Sequence, residues 1–239
     1  MAWWTLAMAA YPETQARAQA ELDVVVGRAR LPTFADYPNL PYIRAMVKET
    51  LRWRTVVPLG VPHCVTEDDW YEGMFIPKGT LCISNLWQCN RDPAAYGNDA
   101  ASFKPERFLD EHGKLIPGPA ETRDEGHSTY GFGRRACVGK HAANDSLFIS
   151  MATVLWALRL EGPRDESGKE VPLDTETPVD TGMVLYVTVS IWSCFNWAHA
   201  LNFRLIRCCS RPLPYSLNVL ARFPEAPSLL AEEIELLKS

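Results

Sequence analysis

The stretch YGFGRRACVGKHAA, from Tyr130 to Ala143, places one cysteine among glycines and arginines, directly before a helical pattern. The start of a helix favours the thiolate form of Cys137, and Arg135, two residues earlier, offers a cation to an anionic ligand. Such a thiolate can bind a haem iron while the arginine binds a haem propionate. Three glycines in the stretch permit tight turns and close approach to the backbone: Gly131, Gly133 and Gly139.

Two other interpretations of Cys137 stay open from these residues alone: a catalytic nucleophile and a structural thiol. A cysteine nucleophile needs a histidine base within reach. His141 follows four residues later and would point away along the helix. The pattern therefore favours haem binding without excluding the alternatives.

A second group of residues could form an ionic network. Glu49 and Arg52 are three residues apart in a helical pattern, so their side chains share one face. The simplest interpretation is a surface ion pair that contributes little. Arg107, in the sequence PERF, changes this interpretation if it joins the pair, because a buried Glu–Arg–Arg network would hold a long loop against the helix.

The elements that must position these residues follow from periodicity and turn signals. Helices are predicted over residues 11–26 and 42–54 and from near Val138 onward. Residues 70–76 and 80–83, on either side of a Pro-Lys-Gly turn, predict one β-hairpin. Residues 90–135 have few periodic runs and predict a long ordered loop.

Composition limits the function classes. The 239 residues carry a net charge of −5 without a basic block, which argues against a nucleic-acid partner. The seven cysteines form no pair of Cys-x-x-Cys motifs, so we expect reduced thiols. The apolar start has no basic flank and is short, so neither a signal peptide nor a membrane anchor is expected, and the chain is expected to begin partway through a domain.

The cysteine stretch resembles the haem-binding loop of the cytochromes P450, the haem-thiolate monooxygenases. Their pattern is Phe-x-x-Gly-x-Arg-x-Cys-x-Gly, and this chain has Tyr130-x-x-Gly133-x-Arg135-x-Cys137-x-Gly139. The difference is tyrosine in place of the leading phenylalanine. Further motifs stand in the family's order: Glu49-x-x-Arg52, IPKGT at 76–80, NLW and RDP within 85–93, and PERF at 105–108.

The resemblance covers about residues 5–184 and 211–230, and it is nearest to fungal members in style. It implies a fold that is mainly α-helical with small β-sheets. Residues 1–239 would form one partial domain, the C-terminal, haem-binding half of the cytochrome P450 fold. The family's oxygen-activating helix would lie upstream of Met1.

The resemblance also implies roles for individual residues. Cys137 would be the axial ligand of the iron in haem b, iron protoporphyrin IX, and the triad would consist of Glu49, Arg52 and Arg107. The remaining residues implied to hold the haem are Arg135, His63, Phe132, Gly133 and Gly139. Those implied to line a substrate pocket are Val57, Pro58, Leu59, Val61 and Met183. The alternative to haem binding by His63 is that it is a histidine at the edge of a strand. The alternative to a substrate pocket is that the apolar residues belong to the ordinary hydrophobic core.

The implied reaction is insertion of one oxygen atom of O₂ into a small hydrophobic organic substrate. Electrons would come from NADPH through an NADPH–cytochrome reductase. We expect the parent protein in fungal secondary metabolism, at the cytosolic face of the endoplasmic reticulum membrane. The alternative is a truncated, non-catalytic fragment that does not bind haem productively, because half a domain leaves one haem face open.

Residues 185–210 form an atypical insert, rich in Cys, Trp and Asn. One interpretation is a hydrophobic or membrane-dipping hairpin; its arginines and asparagines make a spanning helix unfavourable. The other is a translated intron, because codons for Leu185-Tyr186-Val187 can contain a splice donor and those for Cys209-Ser210 an acceptor. Removing the stretch would keep the reading frame.

Overall fold

The computed structural model describes residues 1–180 and 210–236. The first two helices are α1 (Ala2–Ala10) and α2 (Pro12–Val25). Pro12 occupies the first turn of α2, where its missing N–H costs nothing, and Glu13 favours the positive helix end. The helix predicted over 11–26 is thereby confirmed.

Helix α3 (Pro41–Trp53) carries the Glu49-x-x-Arg52 motif and confirms the helix predicted over 42–54. A 3-10 helix precedes it at Phe34–Asn39 and begins with a capping box between Thr33 and Asp36. Asp36 also accepts two hydrogen bonds from Arg30, at 2.6 and 2.7 Å. The polypeptide therefore enters α3 from a fixed direction.

The region that the sequence predicted as a long loop contains short helical turns. One of them is α5 (Pro93–Tyr96), and another short helix, α4 (Leu86–Cys89), lies just before the region. Each is capped by a side chain: Asn85 accepts from Gln88 N, and Asp92 from Ala94 N. The 3-10 turns in this region are Pro105–Phe108, Ala120–Glu125 and Gly133–Arg135.

The long helix α6 (Lys140–Ala157) follows the cysteine loop, and α7 (Ala226–Leu236) is the last described helix. Helix α6 begins three residues after Cys137, slightly later than predicted from the sequence. Among the described residues, no helix is long and apolar enough to cross a membrane.

The core forms where α1, α2, α3 and α6 pack together. Its largest fully buried side chains include three tryptophans, Trp4, Trp53 and Trp156. A buried glutamine joins two elements: Gln15 Nε2 donates to Leu160 O at 2.8 Å, and Gln15 Oε1 accepts from Leu160 N at 2.7 Å. These paired bonds fix α2 against the strand that follows α6.

The described strands form small antiparallel pairs. Their bounds are β1 (His63–Cys64), β2 (Asp69–Tyr71), β3 (Met74–Ile76), β4 (Leu81–Cys82), β5 (Leu158–Glu161), β6 (Pro178–Asp180), β7 (Ser210–Pro212) and β8 (Asn218–Ala221). Strand β1 pairs with β4, β2 with β3, β5 with β8, and β6 with β7. The described part of the chain is therefore mainly helical with small sheets, as the sequence predicted.

The hairpin predicted around the Pro-Lys-Gly turn is wrong. The structure makes the hairpin turn earlier, at Glu72 and Gly73, whose φ angles of 49° and 79° are both positive. Two successive positive φ angles are typical of the two-residue β-hairpin turns whose backbone twist matches that of the strands they join. The strand after the Pro-Lys-Gly turn returns to β1 instead, with His63 opposite Cys82.

Candidate functional site

Glu49 is the centre of a buried ionic network. Its carboxylate accepts hydrogen bonds from Arg52 Nε at 2.6 Å and from Arg52 Nη2 at 2.8 Å. The two side chains form a bidentate ion pair, and both are fully buried. Arg107 Nε binds the same carboxylate at 3.1 Å, and its side chain is 8% exposed. The backbone N–H of Lys104 adds a bond at 2.7 Å. The structure thus brings Glu49, Arg52 and Arg107 together.

The two arginines use their remaining N–H groups to hold the long connection between α4 and the cysteine loop. Arg52 Nη1 donates to the carbonyl oxygens of Asn90 at 2.7 Å and Ala100 at 2.8 Å. Arg107 Nη1 donates to Tyr96 O at 2.6 Å. Because these carbonyl groups lie far from α3 in sequence, the network fixes the connection against the helix.

Asn90 extends this network toward the cysteine loop, and the sequence analysis missed it. Its buried Nδ2 donates to the hydroxyl groups of Thr55 at 2.7 Å and Thr129 at 3.0 Å. Its Oδ1 accepts from Ser128 N at 2.7 Å. Asn90 stands immediately before the RDP motif, which was the available signal. It joins Arg52 to the residues that lead into the loop.

The cysteine loop is built on glycines in the left-handed region. Gly131 and Gly133 have φ of 74° and 61°, values that most side chains disfavour. A Cβ at Gly139 would lie 4.0 Å from the Cys137 sulphur. The Cys137 N–H donates to Tyr130 O at 2.8 Å, which closes the loop on itself.

The side chains on this loop are free to bind a ligand. Cys137 is exposed, and its sulphur makes no hydrogen bond with a described residue. The Arg135 guanidinium is also exposed and has no ion pair within the described ranges. Phe132 and Val138 are 43% and 99% exposed. A soft metal ligand, a free cation and exposed apolar groups on one loop fit an apolar, anionic metal complex such as haem.

No histidine of the described segments bonds to the thiol, as a nucleophilic cysteine would require. His141 is exposed on α6. His127 is fully buried, and burial lowers the pKa of its imidazole to about 3. Its Nδ1 accepts from Thr129 N at 3.2 Å, while no described residue bonds to its Nε2. This geometry does not support the thiol-catalysis alternative.

The other residues implied by the resemblance lie on the connection between α3 and β1 or beyond it. His63 is exposed at the start of β1, and its imidazole makes no hydrogen bond or ion pair with another described residue. The candidate pocket residues before it are exposed or half-buried rather than enclosed: Val57, Pro58, Leu59 and Val61. Met183, and the predicted insert except for Ser210, lie outside the described residues.

Comparison with known proteins assigns this arrangement to a family. The family model Cytochrome P450 matches residues 1–181. Two cytochrome P450 monooxygenases of Armillaria gallica are 54% and 50% identical to this chain over 237 residues, covering 99% of this chain and 41% of each relative. Cytochrome P450 monooxygenase 58 of Postia placenta is 54% identical over 179 residues, which cover 75% of this chain and 34% of the relative.

These relatives are fungal, as the sequence style predicted, and the chain spans less than half of their length. Proteins of this family carry haem and use a redox partner, O₂ and organic substrates. With a family model that matches most of the chain and relatives at half identity or more, the chain belongs to the cytochrome P450 family.

Proposed function

We propose that this chain is the haem-binding part of a monooxygenase that inserts one oxygen atom of O₂ into a small hydrophobic organic substrate. The observation that carries the proposal is the exposed Cys137 thiol on a glycine loop that is anchored, through Asn90, to the buried Glu49 network. A thiol held this way is available to one external ligand and is fixed in place by the protein behind it.

Different residues of the chain would bind different parts of the cofactor. Cys137 would bind the iron of haem b as a thiolate, and Arg135 and His63 would bind its propionates, since both are exposed nitrogen donors that no residue of the described ranges pairs with. The exposed Phe132 would offer the haem an apolar contact, and Gly133 and Gly139 would leave the space beside Cys137 free of side chains. When bound, the haem supplies the activation of dioxygen. For the substrate pocket we propose Val57, Pro58, Leu59 and Val61, and Met183 on the resemblance alone.

The proposed partners follow from the same chemistry. Electrons come from NADPH through an NADPH–cytochrome reductase, and the complete protein works at the cytosolic face of the endoplasmic reticulum in fungal secondary metabolism. Of this setting, the relatives support the fungal origin and the monooxygenase family.

The test is the absorption spectrum of the haem-loaded, reduced, CO-treated chain. Thiolate ligation shifts the Soret band strongly to the red. Cys137→Ala is expected to abolish that band, whereas the matched variant Cys89→Ala, which removes another exposed thiol, retains it. A band that survives Cys137→Ala refutes the assignment of the ligand.

The second candidate is a non-catalytic fragment of the same ancestry. The observation that favours it is the 41% share of the Armillaria relatives that this chain covers. It predicts that the chain takes up haem without forming the red-shifted band, or takes up none. The same spectrum therefore separates the two candidates.

A further inference from the structure

Tyr130 stands where the family motif has phenylalanine, and its hydroxyl group has a defined partner. Tyr130 Oη donates a hydrogen bond to Asn144 Oδ1 at 2.7 Å, and the half-buried ring packs against the core. Burial, together with the nearby Glu125 and Cys137, raises the pKa of the phenol, which therefore stays protonated and able to donate. A phenylalanine cannot make this bond.

The hydrogen bonds continue from Asn144 into the first turns of α6. Asn144 Nδ2 donates to Glu125 Oε2 at 3.0 Å, and Lys140 Nζ pairs with Glu125 Oε1 at 2.9 Å. Burial opposes the charge on Glu125, but the bonds from Lys140 and Asn144 outweigh it and lower the pKa of this carboxyl group. Lys140 and Asn144 are one turn apart on α6 and share Glu125, so the asparagine that binds the tyrosine hydroxyl is itself held in place.

The backbone of Tyr130 is bonded to the thiol residue. Its carbonyl oxygen accepts the Cys137 N–H at 2.8 Å, and the Cys137 carbonyl accepts from Lys140 N at 3.4 Å. The same residue therefore contacts Cys137 through its main chain and α6 through its side chain. A change in the position of Tyr130 would move the acceptor that orients the Cys137 amide.

We propose that the Tyr130 hydroxyl, through Asn144, is a positioning group that holds the Cys137 loop in its haem-accepting form before haem binds. The inference rests on the proposed haem-thiolate function of this loop. Tyr130 acts through the main chain of Cys137 and needs no contact with the haem itself.

The test measures hydrogen exchange of the Cys137 amide in the whole, haem-free chain. Tyr130→Phe is expected to speed this exchange about five-fold, which corresponds to loss of one hydrogen bond of about 1 kcal/mol. The Leu160 amide, bonded to Gln15 in the core, should exchange at an unchanged rate. Asn144→Leu should speed the exchange at least as much as Tyr130→Phe, because it also removes the bond to Glu125. The double variant should match Asn144→Leu, because that change has already removed the partner of the tyrosine hydroxyl.

The control variant is Tyr42→Phe. It removes another tyrosine hydroxyl, bonded to Glu106 Oε1 at 2.7 Å and distant from the loop in sequence. Exchange of the Cys137 amide should not change in it. An unchanged rate in Tyr130→Phe, or an equal acceleration in Tyr42→Phe, would overturn the positioning role.

A spectroscopic measurement distinguishes a failure of this inference from a failure of the proposed function on which it rests. The reduced, CO-treated chain should show the red-shifted Soret band, and Tyr130→Phe should show a smaller thiolate-ligated fraction at equal haem loading. If the band is absent from the unaltered chain, the haem-thiolate function is overturned, and the positioning role is overturned with it. If the band is present and the exchange rates and thiolate fraction of Tyr130→Phe match those of the unaltered chain, only the positioning role is overturned.

Discussion

At the scale of single residues, Glu49 is the anion that compensates two buried arginines, Arg52 and Arg107. Glu49→Gln removes the anion while Arg52 and Arg107 stay buried, with side chains 0% and 8% exposed. Loss of one partner from a buried pair costs about 3–5 kcal/mol, because the remaining charge is left uncompensated. We expect a decrease of that size in the free energy of unfolding, measured by urea denaturation.

The matched control for Glu49 is Lys104→Met, which breaks the exposed pair between Lys104 and Asp99 and leaves the Lys104 backbone bond to Glu49 in place. Its expected cost is below about 1 kcal/mol. Equal stabilities of the Glu49 and Lys104 variants would show that the Glu49 network contributes no more than a surface pair.

His127 makes stability depend on pH. Burial holds the pKa of the folded imidazole at about 3, although Glu125 acts in the opposite direction. An unfolded histidine takes up a proton near pH 6.5, so below about that pH the unfolded state binds one proton more than the folded state. Stability should therefore fall with decreasing pH, by about 1.4 kcal/mol per pH unit from this group alone, until the pH approaches the folded pKa.

His127→Gln should lower that slope by the same amount, because glutamine takes up no proton and can still accept the bond from Thr129 N. Urea unfolding at several pH values between about 7 and 5 measures the slope. The control is His112→Gln, whose side chain is 73% exposed. Parallel pH curves for the unaltered chain and His127→Gln would contradict the assignment.

What the sequence could predict at this scale depended on local spacing. The Glu49–Arg52 pair and the cysteine loop are visible because their members lie within a few residues of one another. Asn90 and Asn144 were missed because their bonds join segments that are distant along the chain. The sequence does not show whether an asparagine caps a turn or bridges two loops. Its burial and its hydrogen-bond partners in the structure distinguish these roles.

At the scale of elements, the helices were predictable because proline and apolar periodicity mark their starts and buried faces. The hairpin was not predictable, because the sequence signal for a turn is stronger at Pro-Lys-Gly than at Glu72-Gly73. In the structure, however, the two strands of the hairpin are joined at Glu72-Gly73. Glutamate is a poor choice for a positive φ. Cross-strand contacts, such as the Trp70 and Phe75 rings at 5.2 Å, support the earlier turn.

Two substitutions in this turn are expected to have opposite effects on the stability of the hairpin. Glu72→Asn should stabilise the hairpin by about 0.5–1 kcal/mol, since asparagine tolerates the left-handed region at this position. Gly73→Ala should destabilise it by about 1 kcal/mol, because its φ is 79°. Amide exchange in β2 and β3 measures both effects, and a common direction for the two variants would contradict the observed turn.

At the scale of the whole molecule, large apolar side chains are exposed along the β2–β3 hairpin. Trp70, Tyr71, Met74 and Phe75 are each between 51% and 67% exposed. Trp70 pairs with Phe75 across the strands, and Tyr71 pairs with Met74 in the next register position, so both faces of the hairpin are apolar. Contiguous exposed apolar surface of this kind promotes association with other surfaces.

The isolated chain should therefore associate with itself as its concentration rises, as sedimentation velocity measures. Replacing Trp70 and Phe75 together by serine should shift the association to higher concentration, because it removes the paired rings from one face. The control is Val24→Ser on α2, since Val24 is 87% exposed but is not part of the hairpin. If the hairpin variant associates as readily as the Val24 variant, the hairpin is not the surface responsible, and the exposed apolar residues near the cysteine loop, Phe132 and Val138, become the next to replace.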